Sequence, residues 1–127
     1  MKKLFTTLLL TVWSLIVLSQ TDSYAFSLTV GIRDNAYQDF TFGDTRFLEE
    51  RIPIKFNGKD ITIYTEDIQY YQTLMPEYTV KGGSYWFAYD VKMKKCKFYM
   101  IESNGTNFVM VEYDDVCIIY GVSYERY

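Results

Sequence analysis

The stretch of sequence that decides the fold runs from Ser84 to Val122 and reads SYWFAYDVKMKKCKFYMIESNGTNFVMVEYDDVCIIYGV. Side chains alternate along it with the period of a β-strand, and aromatic and β-branched residues, which favour strands, are frequent. We therefore predict a four-strand antiparallel meander. Its strands are Ser84–Asp90, Cys96–Glu102, Asn107–Tyr113 and Val116–Val122, and its turns are Val91-Lys92-Met93-Lys94, Ser103-Asn104-Gly105-Thr106 and Asp114-Asp115.

Both faces of this meander are expected to be apolar. With simple hairpin registers, one face collects Tyr85, Phe87, Tyr89, Cys96, Phe98, Met100, Val109, Val111, Tyr113, Ile118 and Tyr120, and the other collects Trp86, Ala88, Tyr99, Ile101, Phe108, Met110 and Ile119, with Lys97 opposite Glu112. A sheet with two apolar faces must be covered on both sides, close on itself or carry a binding surface. The function predicted below starts from this requirement.

The first half of the chain contains a second hairpin, at Ile52–Thr65. Asn57-Gly58 between alternating apolar runs predicts a two-residue type I′ turn. That turn would pair Ile54 with Ile61, on the apolar face of the hairpin. Pro53 cannot donate a hydrogen bond to a neighbouring strand, so we place this strand near a sheet edge.

The remaining segments predict two more strands and a short helix. The strands are Ser27–Arg33 and Tyr37–Phe42, and the polar segment Asp44–Arg51 is expected to be a loop or one helical turn. Thr65, followed by two acidic residues, resembles a helix N-terminus, and Pro76 would end that helix. A strand is the alternative for this segment.

The sequence as a whole thus predicts a mostly antiparallel β domain of about seven or eight strands. The domain would be a sandwich or a partly open barrel, with the C-terminal four-strand meander and one short helix.

The N-terminal residues have the pattern of a secretory leader. Lys2 and Lys3 precede the apolar segment Leu4–Leu18, and Ser23-Tyr24-Ala25 places small residues at the −3 and −1 positions of a cleavage site. We predict a signal peptide at residues 1–25, cut after Ala25, and a single exported β-rich domain at residues 26–127, in the periplasm or outside the cell. The apolar segment is shorter than the roughly 20 residues that span a bilayer, so no stable membrane span is expected.

Composition excludes several classes of function. The chain has no histidine and two cysteines, which excludes Ser-His-Asp triads, Cys-His dyads, His-ligated metal sites and four-thiolate zinc sites. The net charge of −3, with scattered basic residues, provides no footprint for nucleic acid. Acidic residues are favoured in the first turn of a helix and in tight turns, which explains the pairs Glu66-Asp67 and Asp114-Asp115. The spacing of the acidic residues does not fit a calcium-binding loop. We therefore predict no enzyme, no catalytic residue, no metal and no cofactor. A glycosidase-type enzyme that uses only a pair of carboxylates needs no histidine and is the third alternative.

The two cysteines give conflicting signals. Export favours a disulfide between Cys96 and Cys117. The register opposes it, because the Asn107–Tyr113 strand would hold the two Cα atoms about 9–10 Å apart, beyond the roughly 4.4–6.8 Å that a disulfide needs. Both alternatives stay open at this point.

The function predicted from these features is binding. Export, small size, missing catalytic groups and excess apolar sheet surface indicate a non-enzymatic protein that binds another protein, as an inhibitor or an immunity factor does. The alternative is a small-molecule or sugar carrier with an aromatic-lined pocket of roughly 300 Å³ or more. Tyr85, Trp86 and Tyr99 are the candidates for ligand binding, and core packing is the simpler explanation for these residues. The cluster Lys92, Lys94, Lys95 and Lys97 is a solvated hairpin tip or a contact for an acidic partner.

Overall fold

A computed structural model of the chain describes residues 20–124, and these form nine β-strands and no helix. The strands are β1 (Gln20–Ile32), β2 (Thr41–Phe42), β3 (Arg46–Asn57), β4 (Asp60–Ile63), β5 (Gln69–Val80), β6 (Gly83–Asp90), β7 (Lys95–Ser103), β8 (Thr106–Glu112) and β9 (Val116–Ser123). Every strand pair is antiparallel.

Eight of the strands close into a barrel. Their order is β1-β3-β4-β5-β6-β7-β8-β9, and β9 pairs back onto β1, with Leu28 opposite Tyr120 and Val30 opposite Ile118. The short β2 pairs with the end of β1. The prediction of a mostly antiparallel β domain is confirmed. The sandwich alternative is wrong, and the barrel is closed instead of partly open, because β9 pairs with β1. Closure also encloses one of the two apolar faces of the meander inside the barrel.

Side chains fill the inside of the barrel. The buried core consists of Ala25, Ile54, Ile61, Ile63, Tyr71, Ala88, Cys96, Phe98, Val109, Val111, Tyr120 and Val122. The ring of Phe98 packs against Tyr71 and Phe56, with centroids 5.9 and 6.5 Å apart. An eight-strand barrel has an interior just wide enough for side chains to fill, and this one follows that rule.

The helix expected after Thr65 is absent from the described residues. The Thr65 hydroxyl donates to the carbonyl of Asp67 in a loop, and the chain then enters β5. Tyr71 pairs with Ile61 of β4, and its side chain is buried. Sheet pairing and the burial of this ring outweigh a local capping signal, so the strand alternative holds.

Two other predictions for the first half need correction. Asp44–Arg51 is not a loop or a helical turn throughout, because Arg46 begins β3. The Ile52–Thr65 hairpin exists, but Ile54 faces Ile63 and Phe56 faces Ile61. Gly58 occupies the first central turn position with a φ of +62°, which fits a type II′ turn instead of type I′. The observed pairing of β3 with β4 is shifted by two residues from the predicted pairing. Because side chains alternate with a period of two, the same side chains still face the core.

The register of the hairpin between β6 and β7 differs from the predicted register by one residue. Ala88 faces Cys96 and Tyr89 faces Lys95, so the loop Asp90–Lys94 has an odd number of residues. A register change of one residue turns every side chain of a strand to the other face. Trp86 and Ala88 therefore point inward, whereas Tyr85 and Phe87, predicted to share a face with Phe98, point outward.

The other two turns of the meander match their predictions. Asn104 and Gly105 have φ values of +53° and +81°, as a type I′ turn requires. The Tyr113 N–H donates to the carbonyl of Val116 across the Asp114-Asp115 turn. The predicted shared face of Phe98, Val111 and Ile118 follows from these registers.

The predicted leader lies mostly outside the described residues. Residues 1–19 belong to that part of the chain, and the leader stays a prediction. The segment Gln20–Ala25 is the first half of β1. Within residues 20–124, no helix is long and apolar enough to cross a membrane.

The conformation of the Asp90–Lys94 loop predicts that a glycine substitution at one of its positions stabilises the protein. Met93 is exposed and has a φ of +64°, whereas Val91, in the same loop, is exposed with an ordinary φ. Because glycine adopts positive φ without steric cost, Met93→Gly should raise the free energy of unfolding by up to about 1 kcal/mol. Val91→Gly is the matched control and should lower it. Urea denaturation measures both, and equal destabilisation by the two variants would contradict the assigned loop geometry.

Candidate functional site

The most distinctive surface of the barrel is an aromatic cluster on the outer face of β5, β6 and β7. We call it the outer patch, and it consists of Tyr78, Tyr85, Phe87, Lys95, Lys97 and Tyr99. Tyr85 lies directly opposite Tyr99 and pairs with Tyr78 on its other side. These rings lie close together, with centroids 5.0 Å apart in both pairs, and the Tyr78–Tyr85 planes are 18° from parallel.

Phe87 completes the aromatic part of the outer patch. Its ring meets Tyr78 and Tyr85 edge to face, with centroids 5.7 and 5.9 Å away. Stacked and edge-to-face contacts both suit the charge distribution of aromatic rings. The cluster therefore has a fixed internal geometry, although it lies outside the core.

Two lysines cover this aromatic surface. The Lys95 ammonium lies 4.6 Å from the Phe87 centroid, and the Lys97 ammonium lies 5.3 Å from the Tyr85 centroid. Such cation–π contacts contribute about 0.5–1 kcal/mol at exposed sites. Within residues 20–124 neither lysine forms an ion pair; the ion pair that is present joins Arg33 and Glu112 at 3.7 Å.

Glu112 explains why Lys97 has no carboxylate partner. The register places Glu112 opposite Lys97, as the sequence predicted. Its carboxylate instead pairs with Arg33, and it lies close enough to Tyr99 to affect the pKa of that hydroxyl. Burial raises the pKa of the Tyr99 hydroxyl, and the nearby charge of Glu112 raises it further. The two lysines of the outer patch consequently remain available to an external anion.

An open groove of about 370 Å³ continues the outer patch toward the loop that follows β1. Phe87, Lys95 and Lys97 belong to both surfaces. The far wall of the groove contains Arg33, whose guanidinium lies 3.9 Å from the Phe40 ring centroid and donates to the carbonyl of Asp114. The patch and the groove thus form one continuous surface, and the lining of the groove also includes the acidic residues Glu112 and Asp114.

The three predicted ligand residues do not meet in one place. Tyr85 and Tyr99 are together in the outer patch, but Trp86 faces inward, opposite the fully buried Phe98. Tyr78 was missed, because it lies beyond Pro76, where the predicted helix was taken to end. The signal that could have revealed Tyr78 is the run Tyr78-Thr79-Val80, whose aromatic and β-branched residues favour a strand.

The inside of the barrel offers a smaller space. A hollow of about 150 Å³ lies at the barrel end that carries the β7–β8 turn, and its lining includes Ser23, Phe56, Met100 and Val109. Its volume is about half of what a small-molecule carrier was expected to need. Neither Trp86 nor Tyr99 lines it.

A polar network occupies the opposite end of the barrel. The carboxylate of Asp90 accepts hydrogen bonds from the Tyr113 hydroxyl at 2.8 Å and from the backbone N–H groups of Lys92 and Lys94 at 2.9 and 2.8 Å. Burial alone would raise the pKa of Asp90, but these donors together lower it. Burial, followed by the bond to Asp90, raises the pKa of Tyr113. The network therefore consists of one charged carboxylate and neutral donors, an arrangement that caps a loop.

The acidic pairs of the sequence form no metal site among residues 20–124, where no group of three potential ligand side chains converges.

The two cysteines lie on opposite sides of the barrel wall. Cys96 belongs to the core, whereas Cys117 is buried on the outer side, where its register neighbours are Gly31 and Glu112. Strand β8 separates them, and both are free thiols in the structure. Burial raises the pKa of Cys96 to about 12 and that of Cys117 to about 11.

Comparisons with known proteins add no family to this description. The chain matches no protein-family model, and comparisons with curated proteins and with solved structures find no match. The functional argument therefore rests on the geometry and chemistry of the outer patch.

The cysteine geometry predicts two protected thiols. A thiol reagent at pH 8 should modify Cys96 and Cys117 after unfolding without reductant, and should react slowly with the native protein, because burial and a raised pKa both suppress the thiolate. Intact mass spectrometry counts the modified groups. A native mass lower by the two thiol hydrogens, restored by reduction, would show a disulfide and contradict the assigned register.

The Asp90 network predicts a pH-dependent contribution to stability. Asp90→Ala should lower the free energy of unfolding at pH 7 by about 1 kcal/mol, since three donors lose their acceptor. The folded-state pKa of Asp90 is depressed, so its contribution is present above the unfolded-state value of about 3.9 and is lost as the pH falls through the folded-state value. The difference from wild type should therefore shrink in acid. Asp114→Ala, in an exposed turn at the same barrel end, is the control and should change little.

Proposed function

We propose that this chain is an exported, non-enzymatic binding protein that contacts an acidic segment of a protein partner through the outer patch. The observation that carries the proposal is the position of Lys95 and Lys97. Their ammonium groups lie over aromatic rings, and no carboxylate within residues 20–124 pairs with them.

The chemistry of the outer patch suits a protein surface. Aromatic residues are enriched at the centres of protein interfaces, where they provide contact area at a low entropic cost. An approaching carboxylate can pair with Lys95 or Lys97 while apolar side chains of the partner cover Tyr78 and Tyr85. The chain has a net charge of −3, so this local excess of cations would orient an acidic partner toward the outer patch.

Two further points favour a protein over a small molecule. The outer patch is open and broad, a shape that suits a macromolecule. The core side chains occupy the barrel interior, and the 150 Å³ hollow there is small for a carried ligand. A carrier would therefore have to use the open groove of about 370 Å³ beside the outer patch instead of the barrel interior.

Sequence patterns support the remaining parts of the proposal. The charged start, apolar segment and small residues within positions 1–25 support export. The absence of histidine from the chain supports a role without acid–base catalysis of the common kinds. An inhibitor or immunity-like role is the form of protein binding that fits an exported domain of this size.

A capture experiment with matched variants tests the proposed interface. The exported protein is used as bait in the native exported fraction of its source, in parallel with Lys97→Glu and Tyr85→Ser. We expect each variant to reduce recovery of the partner about tenfold or more, which corresponds to about 1.4 kcal/mol, and salt to weaken wild-type capture.

Arg46→Glu is the charge-matched control, because Arg46 is exposed at the start of β3, a strand that pairs with β1 and β4 and not with the strands of the outer patch. It should retain capture. Equal recovery with wild type, Lys97→Glu and Tyr85→Ser would reject the outer patch as the interface.

A further inference from the structure

We infer that the export leader is removed ahead of β1, by hydrolysis of the peptide bond between Ser19 and Gln20, and not after Ala25. This inference rests on the export part of the proposed function. It concerns a processing site, which defines the N-terminus of the mature protein.

The first half of β1 is a paired part of the barrel wall. Gln20–Ala25 runs antiparallel to Ile52–Asn57 of β3 without interruption, from Gln20 opposite Asn57 to Ala25 opposite Ile52. On its other side, Ala25 pairs with Val122 of β9. These residues therefore join β3 to β9 at one end of the barrel.

Burial shows that this segment also belongs to the core. Ser23 is 2% exposed and Ala25 is 0% exposed. Ala25 is a member of the core cluster, and Ser23 lies opposite Ile54, which is also fully buried. Residues of a discarded leader have no reason to be packed in this way.

A cut after Ala25 would leave part of β3 without a paired neighbour in the barrel wall. The pairing between β1 and β3 would shrink to Ser27 with Phe47 and Leu28 with Arg46. The segment Ile52–Asn57 would lose its neighbour on that side, and the side chain of Ile54 would lose its cover. Unpaired backbone groups and exposed apolar side chains are both costly, and an unpaired strand edge invites aggregation.

A cut before Gln20 avoids this cost. Gln20 lies opposite Asn57, the last residue of β3, so every pair between β1 and β3 is kept. In the sequence, Ser19 directly follows the apolar segment and provides a small residue at the −1 position. Val17, inside the apolar segment, provides an uncharged residue at −3. The cut consumes one water and leaves a carboxylate on Ser19 and an amine on Gln20. The export peptidase acts on the unfolded chain, so the argument concerns which product can close the barrel.

The test follows the full chain through export in a bacterial host. N-terminal sequencing and intact mass of the exported protein should give a chain that begins at Gln20. A chain that begins at Phe26 would overturn the inference while leaving export intact. A full-length chain retained in the cytoplasm would overturn both export and the inference.

Two variants in the full chain separate the candidate cuts without depending on the folded product, because processing is scored as the fraction of precursor removed. Ser19→Phe places a bulky ring at the −1 position and should make precursor accumulate several-fold. Ala25→Leu blocks the other site and should leave the rate of processing and the new N-terminus unchanged. The opposite pattern, with normal processing of Ser19→Phe and blocked processing of Ala25→Leu, would reject the Ser19–Gln20 cut.

Discussion

The pairing of β1 with β9 is the constraint on which the rest of this structure depends. The meander has apolar residues on both faces, and no open sheet of this size can hide both from water. Closure solves the problem for one face, because Phe98 and Tyr120 then pack inside the barrel. The other face stays outside, where cross-strand contacts such as Tyr85 with Tyr99 cover part of it. Residues 24–32 of β1 make this closing contact with β9, and the N-terminal half of β1 extends the barrel wall by pairing with β3.

A single loop decides what that outer face contains. The carboxylate of Asp90 binds two backbone N–H groups of the loop, and Met93 adopts a left-handed conformation. The resulting odd residue count turns β6 over, so that Tyr85 and Phe87 join the outer side and Trp86 joins the core. A turn built from local hydrogen bonds thus determines which rings meet Lys95 and Lys97. The path from sequence to the proposed interface passes through this loop.

The sequence predicted most of what depends on local signals. The strands of the meander and the shared face of Phe98, Val111 and Ile118 followed from alternation and two-residue turns. The face of β6 did not, because a methionine in a glycine-type turn position carries no recognisable signal. The helix prediction failed where a capping pattern competed with the burial of a distant ring. Barrel closure joins residues far apart in sequence, and no local pattern reports such a pairing. At the outer patch, Tyr99 was predicted to share a face with Trp86, but the register between β6 and β7 places Tyr85 beside it instead, and Tyr78 was missed.

The energetics of the outer patch explain how it can be stable without a partner and still be free to make the proposed contact. Ring stacking and the covering lysines reduce the apolar area that water meets, so the exposed aromatic surface does not need a partner in order to fold. Each cation–π contact is worth only about 0.5–1 kcal/mol at such exposure. A hydrogen-bonded carboxylate from a partner, partly shielded by the same rings, is a stronger ligand for an ammonium group. The lysines can then turn from the rings to the partner and leave the aromatic faces open to apolar contact. The cation–π contacts that cover the aromatic rings are thus weak. The proposed partner would replace these contacts with stronger ones of its own.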